Sequence, residues 1–134
     1  MSRQTTLRAF LVAETARFVH VHTLHRRLDD GLSLPSYYDW FQGHQHVRTT
    51  IVRVLYAGTT HVFVLYYTWS RDAFPEPSQA ARRWGGVWHG ELLVFRQRQV
   101  RPSGMNTLVN VRSSDTALVH IALRSFFRRA RGVV

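Results

Sequence analysis

The fold turns on residues 47–69, which read Val47-Arg48-Thr49-Thr50-Ile51-Val52-Arg53-Val54-Leu55-Tyr56, then Ala57-Gly58-Thr59-Thr60, then His61-Val62-Phe63-Val64-Leu65-Tyr66-Tyr67-Thr68-Trp69. Two runs rich in β-branched and aromatic residues flank a short segment containing glycine. Such side chains pack well on a pleated surface, and glycine supplies the positive φ that a tight turn needs. The stretch therefore reads as a β-hairpin. Successive strand residues point to opposite sides. Ile51, Arg53 and Leu55 then share one face, and Val52, Val54 and Tyr56 share the other. Both faces are mostly apolar, so the hairpin is expected to lie centrally or to be covered on two sides.

Working outward, residues 18–23 alternate as a strand, and Asp29-Asp30-Gly31 punctuates them. Residues 5–14 stay open between two forms. Leu7, Phe10 and Leu11 have helical spacing, yet a strand fits as well. Residues 31–46 read as a loop or short helical turn, and residues 70–90 as a second loop broken by Pro75 and Pro77. Strands are expected at 91–99 and 107–111, joined by a turn at Pro102-Ser103-Gly104. The chain then closes with a helix. Ser113, Ser114 or Asp115 can cap it, and Gly132 can end it. On a helical wheel Leu118, Val119, Ala122, Leu123, Phe126, Phe127 and Ala130 form an apolar face. His120, Arg124, Arg128 and Arg131 line up opposite.

These elements define an α+β protein, with an antiparallel sheet of four to five strands packed by a C-terminal amphipathic helix. The alternative is a small, partly open β-barrel with the helix as a plug. A length of 134 residues suits one domain over 1–134. With 45% hydrophobic residues, the chain has the mix of a globular protein.

Composition removes whole classes of chemistry. There is no cysteine, which excludes disulfides, thiolate metal sites and cysteine nucleophiles. All 18 basic residues are arginine, so no lysine is available for a Walker P-loop or a Schiff base. No apolar run reaches the roughly 18 residues of a membrane span. The N-terminus makes a poor signal peptide, and an intracellular protein of the cytoplasm or nucleus is expected. The nearest match to a nucleophile elbow, Gly31-Leu32-Ser33-Leu34-Pro35, lacks the second glycine. The acids form no recognisable catalytic pair.

The charge is uneven. The net formal charge is +10, and 11 of the 18 arginines lie beyond residue 67, against 4 of the 8 acids. Three basic groups stand out: Arg82 with Arg83, Arg96 with Arg98, and Arg124, Arg128 and Arg131 on the last helix. Guanidinium forks grip phosphate oxygens and release counterions. Trp84 and Trp88 lie beside the first group, where their rings can stack on bases. The expected function is thus a non-catalytic basic module that binds nucleic acid or another polyanion through these nine residues, without a cofactor. Two other readings stand beside it. One is a protein-interaction or homodimerisation domain using the aromatic loops Tyr37-Tyr38-Asp39-Trp40-Phe41 and Tyr66-Tyr67-Thr68-Trp69. The other is a metal-dependent enzyme with ligands from His20 and His22 or His44 and His46, completed by His25, His61, His89, Asp39 or Glu91.

Overall fold

A computed structural model describes residues 4–25, 33–35, 38–41, 46–100 and 105–130. The turns expected at residues 29–31 and 102–104 lie outside these residues, as do His44, Arg131 and Gly132. Seven strands occur among the described residues: β1 (Gln4–Val12), β2 (Ala16–His25), β3 (Ser33–Pro35), β4 (Arg48–Tyr56), β5 (Thr59–Tyr67), β6 (Leu92–Val100) and β7 (Met105–Val109). They form one antiparallel sheet in the order β3-β2-β1-β6-β5-β4, and β7 pairs with β6. The sheet is open, with β3 and β4 at its edges, so the plugged barrel does not form. Two helices accompany it, α1 (Tyr38–Phe41) and the C-terminal α2 (Thr116–Ala130). The protein is therefore α+β, with more strands than the four to five expected.

The additional strands have a physical explanation. β1 pairs with β2 along its whole length and with β6 at its C-terminal end. Both of its faces are buried: Phe10 and Val12 belong to one core cluster, Ala9 and Leu11 to another. A strand covered on two sides shows a continuous apolar run and loses the alternation that identifies it. β3 has only three residues, too few to show any period.

The two clusters lie on opposite faces of the sheet. α2 covers the first, bringing Leu118, Val119, Ala122, Leu123, Phe126 and Phe127 against Val52, Val54, Phe63, Leu65 and Leu92. Fully burying each such Leu, Val or Phe contributes about 1.5–3 kcal/mol, which fixes α2 on the sheet. On the second face Val19, Val21, Leu93 and Phe95 gather around Phe41 of α1.

The central hairpin differs in part from expectation. Its turn is tighter, with only Ala57 and Gly58 between the strands, at φ 51° and 78°. β5 is buried between its neighbours, but β4 is an edge strand. Val52 and Val54 face α2, whereas Ile51 and Leu55 are exposed, Leu55 at 74%. Their apolar side chains reflect the β preference of the strand rather than burial on that face.

The start of α2 differs in detail from the expected cap at Ser113, Ser114 or Asp115, because Arg112 takes the N-cap position. A 3-10 turn (Ser113–Asp115) precedes it, and Asp115 Oδ2 accepts the backbone N–H of Arg112 at 2.8 Å. The Asp115 carboxylate reaches back to the N-cap backbone, the reciprocal half of a capping box, and so satisfies an N–H just ahead of the helix.

Candidate arginine cleft

The loop between β5 and β6 decides where the charge meets. Residues 68–70 continue β5, since Thr68 N–H bonds Glu91 O at 3.1 Å and Ser70 N–H bonds His89 O at 2.8 Å. The chain then makes a 3-10 turn (Ala80–Trp84) and reverses at Gly85, whose φ is 78°. Ala80, Ala81 and Trp84 are buried, leaving Arg82 and Arg83 exposed. Trp84 Nε1 donates to Nδ1 of His120 on α2 at 2.9 Å, and its ring meets Phe10 edge-on at 6.2 Å.

This anchoring brings Arg83 beside α2. Arg83, Trp84, Gly85, Arg124 and Arg128 line one cleft of about 290 Å³. Arg124 and Arg128 are four residues apart and so stand one above the other on the helix surface. The Arg83 Cζ lies 5.3 Å from the Trp84 ring centroid. Among the described residues no acid lines the cleft. His120, which accepts the Trp84 N–H, has its pKa lowered, first by burial and then by the charges of Arg83 and Arg124. The cleft thus has an uncompensated positive field and three forked donors, which suit oxyanions.

The remaining site residues fall elsewhere. Arg96 and Arg98 line a separate recess of about 490 Å³ with Arg112, near the start of α2. Arg96 is committed there: it forms an ion pair with Asp115, and its Nη2 donates to His61 Nδ1 at 3.0 Å. It is thereby neutralised, and the recess lies several helical turns from the cleft. Arg131 lies outside the described residues. Trp84 and Trp88 are only 4% and 2% exposed, so neither offers a ring face for a base to stack on. The Trp88 indole N–H is used internally, donating to Thr68 O at 3.0 Å. Their position next to arginines is no guide here, because a large aromatic ring finds more apolar contact in the core than at the surface.

The aromatic loops are packed inward in part, with Trp69 left exposed. Phe41 is 1% exposed, and Trp40 packs against the second cluster. Tyr37 lies outside the described residues. For the metal reading, among the described residues no three of His, Asp and Glu converge. His20 and His22 stand exposed on β2 without a third ligand.

One recess was not foreseen from the sequence. Tyr67, Trp69, Trp88, Phe126, Arg48 and Arg129 contribute to a cleft of about 730 Å³ near the end of α2. Its parts come from β4, β5, the loop and the helix, so no local motif marks it. Comparisons with protein-family models, with curated proteins and with solved structures give no match. Among the described residues no helix is long and apolar enough to cross a membrane.

Proposed function

We propose that the protein is a non-catalytic binding module for nucleic acid or a similar polyanion, acting through Arg83, Arg124 and Arg128 with Arg82 at the margin. The observation that carries this reading is the convergence of a loop arginine and two helix arginines on one cleft whose lining, among the described residues, holds no carboxylate. With both tryptophans in the core, the contact is to phosphate and not to bases, so binding is indifferent to sequence. An intracellular protein of the cytoplasm or nucleus is the location we propose with this ligand.

Fluorescence titration with generic single-stranded and duplex oligonucleotides tests the proposal. Three neutralised phosphates give a log–log salt slope of about −2.7 on duplex, which weakens binding roughly 40-fold between about 50 and 200 mM salt. The Arg83→Ala/Arg124→Ala/Arg128→Ala variant should lose that slope. Absence of binding at low salt refutes the proposal.

A second reading, association of two copies, has one observation in its favour: β4 is a nine-residue edge strand exposing Ile51, Leu55 and Tyr56. Open edges of that kind can pair with another chain. Light scattering across protein concentration tests it, and a monomer at all concentrations refutes it.

A further inference from the structure

The cleft at the end of α2 has a different character from the arginine cleft. Its floor is aromatic and fixed. The Tyr67 ring lies 5.7 Å from Trp88 and 5.2 Å from Phe126, and Trp88 lies 5.3 Å from Phe126, all at steep interplanar angles. Rings locked edge to face in this way are already ordered, so a ligand does not have to immobilise them. Trp69 forms part of the wall and is 37% exposed, leaving apolar surface available to an occupant.

The rim is positive. Arg48 comes from β4 and Arg129 from the last turn of α2, and both are exposed. Among the described residues no acid lines the cleft. Among the described residues the only ion pair is Arg96 with Asp115, and neither rim arginine has a carboxylate partner there. The volume of about 730 Å³ falls within the roughly 300–1,000 Å³ typical of small-molecule sites.

We propose that this cleft is a binding site for a small planar aromatic anion, with an aromatic carboxylate as the reference chemistry. The ring system of the ligand lies against Trp69 and Tyr67 at the mouth of the cleft, with the buried Trp88 and Phe126 rings behind them. Its carboxylate reaches the guanidinium groups of Arg48 and Arg129, which accept a planar oxyanion in a two-pronged hydrogen bond. A neutral aromatic leaves both guanidinium groups to water, and a cationic one is repelled by them. The site shares no residue with the arginine cleft and does not rest on the polyanion reading.

Isothermal titration of the protein with naphthoate, naphthylmethanol and naphthylmethylamine tests the proposal. The expected result is saturable binding of one naphthoate per chain, about tenfold or more tighter than the alcohol, because charge-assisted hydrogen bonds are roughly twice as strong as neutral ones. Arg48→Ala and Arg129→Ala should each weaken naphthoate severalfold while leaving the alcohol unchanged. Both residues are exposed, so these variants keep the fold, which circular dichroism checks. Thr50→Phe, which fills the cleft from β4, should abolish binding of both ligands. Lack of saturation with naphthoate up to millimolar concentration overturns the site. Equal affinity for naphthoate and either comparator overturns the assignment of an anion.

Discussion

Replacing Gly86 with alanine drives a methyl group into the ring of Phe127. A Cβ at this position stands 2.6 Å from Cδ1, 2.8 Å from Cγ and 2.9 Å from Cε1 of that ring. Carbon atoms in contact sit about 3.5–4.0 Å apart, so the ring or the loop must retreat by roughly 1 Å. Phe127 is 1% exposed, with Phe126 at 5.2 Å and Trp88 at 5.8 Å, and these rings block its retreat. The loop is held as well, since Gly86 N–H donates to Ala81 O at 3.0 Å. The cost therefore belongs at the upper end of overpacking, about 3 kcal/mol. Urea unfolding followed by circular dichroism should read that loss, with a fall in Tm of about 10 °C for a chain of this size. Phe127→Leu alone should cost about 1–1.5 kcal/mol, and on that background Gly86→Ala should cost at least about 1 kcal/mol less, because the clashing ring is gone. If the two changes add to within about 0.5 kcal/mol, contact with Phe127 is not what excludes a side chain at 86, and the reasoning fails.

Asp115→Ala removes both a helix-start acceptor and the partner of Arg96, and should destabilise by about 2–3 kcal/mol in urea unfolding, less than a fully buried pair because Arg96 is 27% exposed. Asp115→Asn should recover about 1 kcal/mol by keeping the acceptor, and equal losses in the two variants would contradict the dual role. Ala57→Asn should raise stability by about 0.5–1 kcal/mol, since Ala57 sits at φ 51° and asparagine tolerates that region better; an unchanged urea midpoint argues against strain there. The pKa of His120 is lowered by burial and by Arg83 and Arg124, so on acidification the unfolded chain takes up this proton first. Its contribution is complete above the ordinary histidine pKa of 6.5 and declines as pH falls toward the folded-state value, where protonated Nδ1 no longer accepts the Trp84 N–H. Denaturation at about pH 7.5 and 5.5 should show the decline, and His120→Gln should reduce it; an equal decline in that variant assigns it to other groups.

Elements whose burial follows a simple period were legible from the residues alone. In α2 the apolar positions repeat with the helical turn because one face meets the sheet, and the six residues from Leu118 to Phe127 expected in the core are buried there. β5 and β6 were legible from β-branched and aromatic content. Sequence spacing is silent where burial has no period, as in β1, or where the element is three residues long, as in β3. It also misassigned β4, whose two faces look alike in composition. Only the strand order, with β4 at the edge, distinguishes them, and strand order depends on long-range pairing that no local window contains.

For the arginine cleft, composition located the basic groups but not their meeting, and the same tryptophans explain both the error and the result. Trp84 and Trp88 looked like stacking platforms because each stands in a loop near arginines. Burial of Trp84 against Phe10, with its N–H on His120, is what ties the loop to α2. Arg83 is the residue before Trp84, while Arg124 and Arg128 follow His120 at intervals of one helical turn. An anchor between 84 and 120 therefore sets Arg83 beside 124 and 128. A Trp84 left at the surface would free the loop and separate the charges. Arg96 shows the converse, since its place in the middle of β6 sets it beside Asp115 and its charge is consumed at the start of the helix. Arg83, Arg124 and Arg128 thus stand together, with no ion pair among the described residues, because a buried aromatic residue draws the loop onto the helix.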